Sequence, residues 1–156
     1  MENERRVVSV IVVNEASVLS RITDLFSARG YNIESLTVAP IPASKYSRLT
    51  IVTSGSVRVI EQITKQLHKL IPVLRVYDHV DFVEKEMAMV KFPISEPLND
   101  IDVLCQAYNG KIVNLGDDVV IAMVADEPKR VDNFLKAIKR FNPKEIVRGG
   151  TVALER

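Results

Sequence analysis

The chain has 156 residues, 47% of them apolar and 26% charged, with Lys+Arg 21 against Asp+Glu 20 for a formal charge of +1. Such a mixture fills a hydrophobic core, which excludes general disorder, and its balance excludes a strongly cationic phosphate binder though not a local basic patch. The longest apolar runs, near residues 7–13 and 118–125, fall short of the roughly 18–20 residues that span a bilayer as a helix.

From the N-terminus, Arg6–Val13 is β-rich and interrupted only by Ser9, which predicts a central strand. Val18, Ile22, Leu25 and Phe26 then share one helical face, and Arg29 with Gly30 supplies a C-terminal stop. Ile33, Leu36, Val38 and Ile41 restart extended structure, which Pro40 and Pro42 end and make ill-suited to a central ladder position there. Arg48–Thr53 alternates as a strand up to Gly55. Val59, Ile63, Leu67 and Leu70 mark a second helix closed near Pro72, and Val73, Leu74, Val76 and Val80 supply a last strand or strand pair. The order is β-α-β-β-α-β, the ferredoxin-like arrangement of two helices on one face of an antiparallel sheet.

The second half repeats it. Met87–Phe92 is a strand, and Ile101, Leu104, Cys105 and Tyr108 line a helix that begins after Pro97 and stops at Asn109-Gly110. Lys111–Leu115 and Val119–Ala125 are joined through the turn Gly116-Asp117-Asp118. A helix from Pro128 carries Val131, Phe134, Leu135 and Ile138, and Phe141-Asn142-Pro143 turns the chain into a strand region, 145–154. The expected fold class is α+β, two tandem ferredoxin-like βαββαβ modules. Residues 1–79 and 87–156 form the modules, with 80–86 as connector, because Asp81, Glu84, Lys85 and Glu86 break the apolar pattern there.

Catalytic chemistry is absent from this pattern. The histidines, His68 on a helix and His79 where the connector begins, lack metal-ligand spacing and are expected at the surface. Cys105 is the single cysteine, so it forms no intrachain disulfide, and its apolar neighbours predict a buried thiol in a reducing compartment. There is no GxSxG, Walker A or GxGxxG motif, and the central strands lack the aromatics on which RNA-binding sheets of this topology stack bases. The N-terminus carries no signal-peptide pattern, so a cytoplasmic location is expected. What remains is the junction Asn14-Glu15-Ala16-Ser17-Val18, where a strand hands over to a helix. Asn14 or Ser17 caps the helix there, or the unpaired helix amides and the Asn14 amide hold the carboxylate and ammonium of a small amino acid.

The stretch 14–22, Leu25-Phe26 and the run 29–40, Arg29-Gly30-Tyr31-Asn32-Ile33-Glu34-Ser35-Leu36-Thr37-Val38-Ala39-Pro40, resemble the small regulatory subunit of acetolactate synthase. The likeness continues through 47–52, 62–70 and 84–91 and closes on 144–154. It implies an N-terminal ACT domain, the amino-acid-sensing form of this module, and a second domain of related topology with no active site on the chain. The expected partners are a second copy, paired through the ACT domains, and the large catalytic subunit. That partner would carry thiamine diphosphate, magnesium and, as an optional third cofactor, FAD, with none on this chain. The resemblance further implies activation of the catalytic subunit and feedback inhibition by valine in the synthesis of valine, leucine and isoleucine. It places valine at the interface between paired ACT domains, with Asn14, Ser17, Val18 and Leu19 on one side and Asn32 and Ile33 across it. Ser17 stands where the family usually has glycine, which predicts weakened or altered valine sensitivity if the loop needs a close backbone approach or positive φ.

Overall fold

The computed structural model describes residues 2–156, and the chain forms two compact units, residues 1–83 with 153–156, and residues 84–152. In the first, β1 (Glu4–Val13), α1 (Val18–Ala28), β2 (Ile33–Pro40), β3 (Tyr46–Gly55), α2 (Val57–His68) and β4 (Val73–Asp78) follow the expected order. The antiparallel sheet runs β2-β3-β1-β4. Val8, Val10 and Val12 alternate toward the helices, where they pack with Ile22, Phe26, Leu49, Ile51, Ile63 and Leu67. Because side chains alternate along a strand, Val7, Ser9 and Ile11 point to the other face. They too are buried, Ser9 completely, so β1 is covered on both sides.

In the second unit, β5 (Phe82–Pro93), which begins in the first, is followed by α3 (Leu98–Ala107), β6 (Gly110–Leu115), β7 (Val119–Asp126), α4 (Pro128–Ala137) and β8 (Glu145–Arg148). A 3-10 turn, Ile138–Phe141, extends α4. The strand order β6-β7-β5-β8 is that of the first sheet. Ala88, Val90, Phe92, Ile101, Cys105, Val124, Val131 and Phe134 make the core under the helices. Gly116 N donates to Val119 O at 2.9 Å, closing the tight turn expected at 116–118.

Four details differ from the sequence reading. The last strand of the first unit stops at Asp78, and Val80 stands 81% exposed. Residues 82–86, read as part of a connector, already lie in β5, whose inward Ala88, Val90 and Phe92 follow the charged segment in unbroken alternation. The closing region divides at Gly149-Gly150 into β8 and a separate β9 (Val152–Glu155), and β9 pairs with β5. Residues 153–156 thus belong to the first unit. Ala153 packs against Val7, Val52 and Phe82 on the helix-free side of the first sheet. Finally, His79, expected at the surface, is 2% exposed, whereas His68 is exposed.

Candidate functional site

The β1–α1 junction is exposed to solvent from Asn14 to Ser17. Asn14 N donates to Lys45 O at 2.9 Å and Glu15 N to Val13 O at 2.9 Å, so the loop is tied to the end of the sheet by its backbone. Asn14 and Ser17 are exposed. Ser17 is the N-cap residue of α1, with φ −84° and ψ −11°, and its hydroxyl makes no capping bond. Helical rather than extended dihedrals at the N-cap turn the hydroxyl away from the amides it would otherwise satisfy. Val18 N reaches Glu15 O at 3.2 Å and Arg21 N reaches Ser17 O at 3.2 Å. The amides of Leu19 and Ser20, between them, lie in the turn where a helix has no carbonyl of its own to offer. Of the two readings of this junction, capping by Ser17 is therefore not what the structure shows.

Ser17 has negative φ, which any L-residue adopts, so a positive-φ requirement does not bear on this position. Close approach is the glycine property left for a serine to affect. Val18 turns its side chain into the core at 2% exposure, and Leu19, at 37%, is the apolar group the helix start presents to the outside. Gly30 ends α1 with φ +67°. Gly30 N donates to Ser27 O and Tyr31 N to Phe26 O at 2.9 Å, the left-handed C-cap for which glycine is suited.

Asn32 and Ile33 lie elsewhere. Ile33 pairs with Thr53, and Thr53 pairs with Arg6, whereas Asn14 follows Val13, which pairs with Tyr46 at the opposite end of the same strands. Seven residues of strand at about 3.3 Å each separate the two ends by roughly 20 Å. Asn32 O accepts from Thr53 Oγ1 at 2.5 Å, which fixes the start of β2. Within one chain the six residues form no single site. The strand that carries Ile33 is, however, an edge strand with one side unpaired in its sheet.

Outside this region the charged clusters hold the fold together. Asp126, buried on β7, accepts from Arg130 at 2.6 Å, Glu127 N at 2.8 Å, Asn109 at 2.9 Å and Lys85 at 3.1 Å. Burial alone would raise its pKa, but these donors together hold the carboxyl well below the usual carboxylate range. Arg148 forks onto Glu86 at 2.9 and 3.0 Å and also bonds Asp132. Burial, with a smaller contribution from Asp102, pushes the Cys105 thiol up to about 11, so it is no nucleophile at neutral pH. Among the described residues no three His, Cys, Asp or Glu side chains are grouped to hold a metal, and no helix is long and apolar enough to cross a membrane.

Sequence reasoning missed one cluster, formed by Ser9, Arg48, Thr50, His79 and Glu155 on the helix-free face of the first sheet. Its members are scattered over the chain. The one signal was Ser9, a polar residue interrupting an otherwise apolar strand.

Residues 8–75 match the family described as an AHAS small subunit-like ACT domain, and residues 85–156 match the family described as the small subunit of acetolactate synthase. An acetolactate synthase small subunit from Buchnera aphidicola subsp. Schizaphis graminum is 39% identical, with 97% of this chain and 99% of that protein covered. The small subunit of acetolactate synthase isozyme 3 from Escherichia coli K12 is 41% identical over 97% of this chain and 96% of its own length. A crystal structure of the acetolactate synthase small subunit from Thermotoga maritima superposes with a TM-score of 0.91 at 32% identity, covering 98% of each chain.

Proposed function

The chain belongs to the family of acetolactate synthase small subunits, and from that premise we propose that it is a regulatory subunit that activates a large catalytic subunit and makes it sensitive to valine. The catalytic partner, in this reading, brings the thiamine diphosphate and magnesium, with FAD as an optional third cofactor, and this chain brings the effector site. No reaction is assigned to the chain itself.

One observation carries the effector reading: the asparagine loop and the Asn32–Ile33 strand start sit at opposite ends of a sheet whose β2 edge is open. Two copies paired antiparallel along β2 would turn the Ile33 end of one toward the Asn14 end of the other. A two-fold axis then builds two equivalent sites from halves that one chain cannot unite. Each half suits part of an amino acid. Free amides of the first turn of α1 and the Asn14 side chain would take the carboxylate and ammonium, and Leu19 with the partner's Ile33 would form an apolar wall for a branched side chain.

Regulation is then a shift between arrangements. Activation needs tighter binding to the active form of the catalytic subunit than to its resting form, and inhibition needs valine to favour another arrangement of the complex. The test is acetolactate production by the cognate catalytic subunit, with and without this chain, across a valine titration. Stimulation reversed by valine is the expected result. Stimulation indifferent to valine would keep the partner and reject the effector site. No stimulation from two folded proteins would favour a stand-alone amino-acid sensor acting on another partner.

A further inference from the structure

Central strand β1 of the first sheet is covered on both faces, and central strand β5 of the second is covered on one. Side chains alternate along a strand, so Ala88, Val90 and Phe92 of β5 and Val120, Ala122 and Val124 of β7 enter the core under the helices. The residues between them point the other way and are largely apolar as well. Met87, Met89 and Val147 stand 45, 40 and 58% exposed there, and Ile121 and Met123 are half-buried. On β1, by contrast, Val7, Ser9 and Ile11 of the helix-free face are all buried.

Register sets the outward side chains in rows. Lys111, Met123, Met89 and Val147 lie side by side across all four strands, and the next row on the same face is Asn114, Ile121, Lys91 and Glu145. An open cavity of about 250 Å³ lies among Met89, Lys91, Ile121, Glu145 and Val147. Lys91 Nζ meets the Glu145 carboxylate at 3.2 Å, so the middle of the face carries one ion pair and no net charge. Lys111 is exposed at the β6 rim. The runs 87–90 and 119–125 are unbroken in apolar residues. That is the pattern of strands buried on both sides, whereas a sheet with one wet face alternates apolar with polar. A contiguous apolar patch of this extent marks a contact.

We propose that the helix-free face of the second sheet is a further contact between two copies of the chain, packed sheet on sheet about a two-fold axis.

The proposal rests on the paired-copy reading above and adds an interface to it. Charge selects a second copy as the occupant. In a two-fold contact the same patch meets itself, so a net charge would face its like. This patch is neutral at its centre, and the apposition lets Lys91 approach the partner's Glu145. Area points the same way. A stable interface buries roughly 800 Å² per partner. The β2 edge is 8 residues long. Such a strip is about 26 Å by about 10 Å, well short of that requirement. The second sheet has four strands on its main path. At about 4.8 Å apart these offer roughly 350 Å² more, and the two contacts together approach what a stable pair needs. Met87, Met89 and Met123 are unbranched and flexible, which lets two such faces interdigitate.

Cross-linking of the full chain tests the contact. Cys105 is buried, with its thiol pushed up to about 11, so it stays unreactive in the native protein. Met89→Cys therefore carries one reactive thiol in the middle of the face. A bis-maleimide that spans the roughly 10 Å between packed sheets should join two chains at micromolar concentration. Val103→Cys, on α3 at a position 68% exposed, is the control and should link far less. Met89→Glu and Val147→Glu alter exposed side chains, so each chain should still fold. Both should weaken self-association in sedimentation by about tenfold or more, and Met89→Leu should leave it unchanged. Equal linking of Met89→Cys and Val103→Cys would overturn the proposal. So would Met89→Glu associating like the unmodified chain; if that variant also fails to stimulate the cognate catalytic subunit, the face belongs to the large subunit instead. Linking through Met89→Cys in a chain that confers no valine response would support this contact and reject the effector site. Valine-reversible stimulation without linking would reject this contact alone.

Discussion

Gly30, Ile71, Cys105 and Ser17 separate backbone, exposure, chemistry and function as reasons for a residue. At Gly30, φ is +67° and an added Cβ would meet nothing within 4 Å. Gly30→Ala should therefore lose about 1 kcal/mol of stability by backbone strain alone, read as a shift in denaturant midpoint. Ile71 is 96% exposed, and Ile71→Ser should change stability by no more than about 0.5 kcal/mol. Cys105 is buried, with its thiol pushed up to about 11, so the native protein should resist alkylation at neutral pH and react once unfolded. Ser17→Gly is the functional test. Its exposed hydroxyl caps nothing, so a changed valine response in the assembled enzyme would trace to close approach at the loop, and an unchanged response would remove Ser17 from the account of valine sensitivity.

Helices α1 and α2 start with the same residue type and differ in what it does. Ser56 has extended dihedrals, and its hydroxyl accepts from Val59 N at 3.3 Å, whereas Ser17 is helical and accepts nothing. Ser56→Ala should cost about 1 kcal/mol and Ser17→Ala only a few tenths, compared by thermal unfolding. This contrast was not legible in the sequence, because N-cap chemistry depends on ψ at one residue and both serines sit at plausible helix starts. The helical stripes were legible, since Val18, Ile22 and Phe26 in α1 and Ile63 and Leu67 in α2 recur at helical spacing and are buried. Between β7 and α4, Asp126 gathers donors from four residues. Asp126→Ala should destabilise the second unit by about 2 kcal/mol through loss of these charge-assisted bonds, because Lys85, Arg130 and Asn109 are exposed and regain water.

Over the whole chain, Asp126 and His79 make stability fall toward acid, in different windows. The unfolded state binds a proton at His79 more readily than the folded state, so stability declines as pH drops through 6.5. The carboxyl of Asp126 is depressed, so its contribution is held above the ordinary carboxylate range and lost below it. Urea titrations across pH should show two declines, and His79→Gln should remove only the upper one. The sequence by itself determined the two βαββαβ modules, because strand and helix periodicity are local properties of spacing and each apolar stripe must be buried. It also determined the family, since runs such as 29–40 stand contiguous and can be matched as they are. Tertiary structure decided what depends on residues far apart in the chain. Register placed Asn14 and Ile33 at opposite ends of one sheet. Packing buried His79 against Ser9 and brought Glu155 beside it. No spacing rule encodes either arrangement, because each arises from which strands pair and which face of the sheet the C-terminus comes to cover.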